Sequence, residues 1–383
     1  MKPSNIVNYF IYVIKIIAHA IIFVPFRNKQ IWVFGSEDLD FAGNSKYLYL
    51  YCHNQTKIKP IWITHNSQLV TELRDRGYDA FSPYSIYGIY YSLRADVCII
   101  TRSIISSDIP WEFINGSKLI QLWHGVPIKK ISIISKENGV KEKIKKYIDD
   151  WKIFIITSDE IAKDLFLSAN IPENMLETTG YPREKPLYSS VDDSDIKSSE
   201  KAKEILYKNP EATVITYLPT WRKWQHPIKT LDLKQIDQVL VDTNSYLLTK
   251  PHNKHVSPSQ EKLNNIEYLS PHVDIYPTLA KSDVLITDYS SVSFDYLLAD
   301  GKIIYYVPDI DKYKSRVGFQ TTFESVTPGP KVKTTNQLCY WIAYFSGGGD
   351  RYMRERKELK QKVYSFDDGE SDRRVVEAIQ NIQ

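Results

Sequence analysis

The sequence predicts an α/β protein made of two doubly wound, mostly parallel sheets facing a cleft. Three observations predict it. Apolar runs of strand length recur along the chain, most of them closing on Gly, Pro, Ser or Thr. Helix-compatible stretches separate them, as crossovers between parallel neighbours require. One polar, charged stretch, SSVDDSDIKSSEKAKE (189–204), breaks the alternation midway and reads as a linker running into the next helix.

In the first half, KQIWVFGS (29–36) is a buried-strand run ending in a Gly-Ser turn, and KPIWIT (59–64) follows the same plan. A helix then runs to Gly77, followed by strands DVCIIT (96–101), KLIQLWHG (118–125) and WKIFIITS (151–158). Ser158 is placed to cap a helix over 159–168. The second half repeats the plan with ATVITYLPT (212–220), SYLLTKPH (245–252), IEYLS (266–270), DVLITDYSS (283–291) and KIIYYVPD (302–309).

Ahead of both lies IVNYFIYVIKIIAHAIIFVPF, from Ile6 to Phe26, apolar and about long enough to cross a bilayer. Asn8, Lys15 and His19 fall close together on one helical face at ~100° per residue. A narrow polar stripe with basic flanks fits a helix lying in the interface, and a single span is the alternative. A signal peptide cleaved at Ala18-His19-Ala20 is disfavoured by Lys15 within the apolar stretch. A buried core helix would need a partner for that lysine. The expected division is therefore 1–27 as a membrane-associating helix, 28–195 as one Rossmann-like domain and 196–383 as a second.

Composition narrows the function. With 383 residues, 43% hydrophobic and 25% charged, the chain is neither disordered nor in need of covalent staples. Cys52, Cys98 and Cys339 are scattered, which disfavours a disulfide framework or a thiolate zinc site and fits a reducing compartment. The formal charge of +3 conceals two basic segments. The first 36 residues carry +4 and the window 129–146 carries +5, leaving −6 elsewhere. That is no uniformly basic nucleic-acid binder. The lysine window is either a solvated helix face or a surface drawn to anionic lipid or a phosphorylated acceptor.

Ligands of open α/β sheets bind outside the carboxyl ends of the strands, so the clusters there hold the candidate site. His124, in QLWHGVPIKK (121–130), is either a general base or a hydrogen-bonded turn histidine. In LPTWRK (218–223), Thr220 and Arg222 leave a strand, and a guanidinium there suits a phosphate as well as it suits the surface. TKPHNKH (249–255) offers Lys250, His252 and His255, with no carboxylate or cysteine nearby to complete a metal site. In SDVLITDYSSVSFDYLLAD (282–300) a strand ends at Asp288, and Ser290 and Ser291 open a helix running to about Ala299. Its free N–H groups and two hydroxyls suit a diphosphate, alongside simple N-capping. GxxxxGK[ST] and GxGxxG are both missing from these turns, which disfavours a P-loop nucleotidase and a dinucleotide dehydrogenase.

In this order the clusters resemble the CDP-glycerol glycerophosphotransferase family of teichoic-acid and capsule-like polymer synthesis. The resemblance runs from about residue 30 to 380, through LWHGVPIK (122–129), TGYPR (179–183), YLPTWR (217–222), TKPH (249–252), LITDYSSVSFDYL (285–297), YYVPDIDKY (305–313), TPGP (327–330) and DGESDRRVV (368–376). It implies a glycosyltransferase-B-like pair of domains with no cofactor and no bound metal. It also implies a peripheral enzyme on the cytoplasmic face of the cell membrane. Glycerol phosphate, or in relatives ribitol phosphate, would pass from CDP-glycerol or CDP-ribitol to a lipid-linked saccharide or polyol-phosphate chain, releasing CMP. His124 and His252 would be the catalytic histidines, Ser290 and Ser291 would hold the donor diphosphate, and Arg374 falls in the C-terminal segment. Thr220, Arg222, Lys250 and Asp288 complete the expected donor side. Glu184-Lys185 stands where the family often has Asn-Asp, and Val126 where Thr is common. A nucleotide-sugar glycosyltransferase on the same fold and a non-enzymatic glycan-binding scaffold are the rival readings.

Overall fold

The computed structural model describes residues 27–35, 40–102, 108–131, 151–188, 200–222, 224, 227–250 and 263–383. The first sheet takes β1 (Asn28–Gly35), β2 (Lys59–Ile63), β3 (Ala80–Phe81), β4 (Ala95–Ile100), β5 (Lys118–Gln121), β6 (Trp151–Ile156) and β7 (Leu176–Thr178) in the order β3-β2-β1-β4-β5-β6-β7. The second takes β8 (Thr213–Leu218), β9 (Ser245–Thr249), β10 (Ile266–Tyr268), β11 (Val284–Thr287), β12 (Lys302–Tyr306) and β13 (Lys331–Val332) in the order β10-β9-β8-β11-β12-β13. Both sheets are parallel and reverse direction in strand order beside their first strand, which opens a crevice at the carboxyl edge. Helices cover both faces, so the central strands bury consecutive residues: Trp32, Val33 and Phe34 are fully inaccessible, as are Val97, Cys98 and Ile99. Cys52, Cys98 and Cys339 are all buried free thiols.

Helices α1 (Gly43–Gln55), α2 (Ser67–Asp75), α3 (Ile86–Arg94) and α4 (Ile161–Ser168) belong to the first half. The helix expected over 159–168 starts at Ile161 with Glu160 at its N-cap, and Ser158, two residues further out, accepts the Ala162 N–H on its Oγ at 3.2 Å. The second half adds α5 (Lys201–Lys208), α6 (Leu233–Asp242), α7 (Tyr276–Leu279), α8 (Val292–Asp295), α9 (Ile310–Arg316), α10 (Thr335–Ser346), α11 (Met353–Val363) and α12 (Ser371–Asn381). The continuous helix expected from Ser290 to Ala299 is shorter than that. α8 has four residues, tightens into a 3₁₀ turn over Tyr296–Ala299, and stops where Asp300 turns left-handed at φ 53°. The dipole of a long helix is therefore not aimed from Ser290, and only the free N–H groups of its first turn remain.

The chain does not end on the second sheet. After α11, Ser365 donates its N–H to the Thr157 carbonyl at 2.9 Å, and α12 packs back on α1. The last residue is tied down as well: Lys29 Nζ donates to the Gln383 carbonyl at 2.6 Å. The division expected at 195/196 falls within 189–199, outside the described residues. So does most of the expected helix over 1–27. Among the described residues no helix is long and apolar enough to cross a membrane.

Candidate active site

β5 ends at Gln121, and the turn that follows is held from three directions. The Gln121 side chain donates to the Arg102 carbonyl at 2.7 Å and accepts from the Trp123 N–H at 2.9 Å. Asn44, at the start of α1 and 1% exposed, donates to the Leu122 and Trp123 carbonyls at 3.0 and 2.9 Å. Its Oδ1 accepts from the Arg183 N–H at 3.1 Å. These bonds offset the cost, of order 1–3 kcal/mol, of holding Trp123 at φ 53°. The result presents His124 at the crevice, its ring 4.4 Å from the Trp123 ring and its Nδ1 3.4 Å from the Thr101 carbonyl. Donation from Nδ1 leaves Nε2 as the basic atom. Burial, then Arg102 and Arg183, pull the imidazole down to about 3, so it is neutral at physiological pH.

A cavity of about 420 Å³ lies between the two halves. His124, Arg102 and Lys129 line it from one side, and Lys250, Ser290 and Ser291 from the other. Lys250 donates to the Val273 carbonyl at 2.7 Å. The Ser290 hydroxyl accepts weakly from the Val292 N–H at 3.4 Å, and the residue lines the cavity. His252 and His255 lie outside the described residues, as do 132–150 of the lysine window. Among the described residues no group of three His, Cys, Asp or Glu could hold a metal.

Four expected donor-side residues are engaged with other groups of the protein and are not part of the cavity lining. Arg222 gives Nη1 to Asp288 at 2.8 Å and to the Thr220 carbonyl at 2.7 Å, and both Nε and Nη2 to Asp309 at 2.8 and 3.0 Å. Asp288, fully buried, also accepts the Thr220 N–H at 3.0 Å and the Tyr289 N–H at 2.6 Å. Thr220, Arg222 and Asp288 thus form an internal brace outside the cavity lining, with the guanidinium paired to two carboxylates. Arg374 is further off. It fastens α12 by donating to the Thr179 carbonyl at 3.0 Å and to Asp368 at 2.8 Å.

Other residues join the two halves across the crevice. Arg183 donates to Asp295 at 2.6 Å, and Tyr276 donates its hydroxyl to the same oxygen at 2.6 Å. Lys46, fully buried, meets Asp274 at 2.7 Å, and His272 meets Asp40 at 3.2 Å. Arg183 and Asp295 sit inside TGYPR and SSVSFDYL, so their segments were visible as motifs although their pairing was not. Asn44, Lys46 and Asp274 carried no motif signal.

Gly125 leaves no room for a side chain where the two halves meet. It has φ 126°, and a Cβ there would meet Ser291 Oγ at 2.6 Å and Arg183 Nη2 at 2.7 Å. Gly125→Ala is expected to lower stability by about 1–3 kcal/mol and to separate His124 from Ser291. Urea midpoints and transfer rates measured together check it. A variant matching wild type in both would show that the contact is not needed.

Known proteins resemble this chain in sequence and in fold. The family model described as CDP-glycerol:poly(glycerophosphate) glycerophosphotransferase matches residues 16–381. A teichoic acid poly(glycerol phosphate) polymerase of Bacillus spizizenii is 28% identical over 419 residues, covering 99% of this chain and all of the relative. A teichoic acid glycerol-phosphate transferase of Staphylococcus aureus is 25% identical, covering 95% and 98%. Among solved structures, the wall teichoic acid polymerase TagF aligns with a TM-score of 0.77 at 21% identity, over 96% of this chain and 92% of that one. A putative UDP-N-acetylglucosamine 2-epimerase from Listeria monocytogenes shares the fold at a TM-score of 0.58 and 13% identity, over 93% and 96%.

Proposed function

This chain belongs to the CDP-glycerol:poly(glycerophosphate) glycerophosphotransferase family, and from that premise we propose how its own residues carry out polyol phosphate transfer. It is a transferase of substituted phosphate groups, with CDP-glycerol as donor and CMP as the released product. An acceptor hydroxyl attacks the glycerol-bearing phosphorus. His124 Nε2 takes the proton of that hydroxyl. Ser290, Ser291 and Lys250, with His252 two residues after Lys250, hold the diphosphate and the leaving CMP. Arg222, Asp288 and Thr220 act from behind, fixing the exits of β8 and β11.

The single observation that carries this reading is the meeting of His124 and Ser290–Ser291 on opposite walls of one cavity, with Gly125 against Ser291. A base and a phosphate-holding turn that came from different sheets and did not meet could not serve one phosphorus atom. The division into an acceptor side (28–195) and a donor side (196–383) is part of the proposal. So are a lipid-linked saccharide or polyol-phosphate acceptor and attachment at the cytoplasmic face of the cell membrane. The apolar residues 6–26 and the lysine window support that attachment.

Purified full-length protein, given CDP-glycerol or CDP-ribitol and a synthetic lipid-linked acceptor, tests the reading. The expected result is CMP release matched mole for mole by polyol phosphate on the lipid. Release of a nucleoside diphosphate from a nucleotide sugar would favour a glycosyltransferase. Saturable acceptor binding without turnover of any CDP-polyol would favour a scaffold.

A further inference from the structure

We infer that Lys129 is a further catalytic residue of this transfer, its ammonium holding the non-bridging oxygens of the phosphoryl group as it moves from donor to acceptor. The inference rests on the functional reading above and deepens it. Lys129 follows His124 by five residues and lines the same cavity. Its backbone is held by the opposite half of the molecule. Lys129 forms an antiparallel bridge with Phe319, Lys130 donates its N–H to the Gly318 carbonyl at 3.1 Å, and Gln320 donates to the Ile128 carbonyl at 2.8 Å. The Gln320 side chain also accepts the Ile131 N–H at 3.2 Å. The loop leaving the proposed base is thus stitched across the crevice, which fixes Lys129 relative to both walls.

The other cations nearby are largely committed. Arg222 is engaged with Asp288 and Asp309, Arg183 with Asp295, and Lys250 with the Val273 carbonyl. Among the described residues, the Lys129 ammonium takes no hydrogen bond. A half-buried ammonium without a hydrogen-bond acceptor is costly unless an anion completes it. Burial draws its pKa below the usual lysine range, Asp288 opposes that, and Arg102 and Arg222 add to it. His124, neutral at working pH, lines the same cavity, as do Asp40, Arg102, Arg183, Lys250, His272 and Asp295.

The step balances without any further reactant. The acceptor oxygen bonds to the glycerol-bearing phosphorus, and the bond from that phosphorus to the oxygen shared with CMP breaks. The acceptor proton passes to His124, and the electron pair leaves with CMP. Lys129 keeps its proton throughout and neutralises charge spread over the transferring group.

Lys129→Met, Lys129→Gln and Lys129→Arg in the full-length protein test this by single-turnover CMP release from CDP-glycerol with a lipid-linked acceptor. Lys129→Met is expected to lower kcat by about 10²–10³-fold and to leave the donor KM within about threefold. Lys129→Arg is expected to recover roughly tenfold or more of that loss. It should also move the alkaline limb of the pH profile upward, because arginine keeps the proton that lysine loses. Unchanged kcat in Lys129→Met overturns the inference, as does a loss confined to KM. A loss with a shifted acid limb and an unmoved alkaline limb also overturns it, since Lys129 would then act through His124. If Lys129→Met fails to fold, Lys129→Gln against Lys129→Arg at matched melting temperature carries the same comparison. Wild-type protein releasing no CMP from either CDP-polyol would instead overturn the functional reading itself.

Discussion

Replacing His124 with Ala or Gln is expected to lower kcat for polyol phosphate transfer by about 10²–10⁴-fold, the range for removing a positioned general base. The donor KM should change little, because the diphosphate is held from the opposite wall. Its pH dependence is the more discriminating measurement. Burial, then Arg102 and Arg183, hold the imidazole down to about 3, so its base form dominates at every higher pH. Activity that needs the base is therefore present above that pKa and lost as pH falls through it. The acid limb of kcat/KM, which reports the free enzyme, should lie well below the ordinary histidine value of about 6.5. Donor binding reverses part of the depression, because its phosphates offset the two guanidinium groups and favour imidazolium. The acid limb of kcat, which reports the bound state, should then lie above that of kcat/KM. Initial rates of CMP release across the acid range check both. Coincident limbs near 6.5 would mean that neither burial nor the arginines reach the reacting histidine.

This coupling also gives the depressed pKa a use. A base that weak is a poor proton acceptor, and the site becomes competent only as the anionic donor fills it. Water in the empty cavity therefore meets a feeble base.

How much of this was legible before any coordinates follows the range of the interactions. Runs such as IWVF and DVCII signal strands because both faces of a parallel sheet are covered, and that leaves a local, contiguous apolar pattern. The edge strands Ala80–Phe81, Leu176–Thr178 and Lys331–Val332 have two or three residues each and hold no period to read. That His124, Lys250, Ser290 and Ser291 would face one crevice was legible because the strand ends of such sheets share an edge. The carboxylate partners of Arg222 could not be read locally. Its partner Asp309 is 87 residues away, and nothing local to PTWR distinguishes an arginine aimed at a carboxylate from one aimed at a phosphate. Asn44 is the reverse case. A single amide ties two catalytic-side loops together, yet its chemistry is common and its partners lie 78 and 139 residues along the chain.

The Arg183–Asp295 pair gives the largest expected effect on stability. The side chains are 8% and 1% exposed, and they join segments 112 residues apart across the crevice. Burial disfavours the charge on Arg183, but Asp295 and Tyr276 outweigh it and hold the guanidinium above its usual range. Asp295→Ala leaves that cation buried with no carboxylate, so a loss of about 3–5 kcal/mol is expected in urea unfolding. The pair is itself imperfect, since among the described residues Asp295 Oδ1 and Arg183 Nε have no hydrogen-bond partner. Replacing both with apolar residues of similar volume, as in Arg183→Met with Asp295→Leu, should therefore cost far less than the sum of the single changes. A double-mutant cycle measures the difference directly, and additive losses would show that the two side chains do not depend on each other. Activity should not recover with stability. Arg183 Nη2 would lie 2.7 Å from a Cβ on Gly125, so the guanidinium also buttresses the turn that presents His124. The apolar double variant is expected to fold, to bind donor through the intact Ser290–Ser291 wall, and to transfer slowly because its base is no longer held in register with the phosphorus.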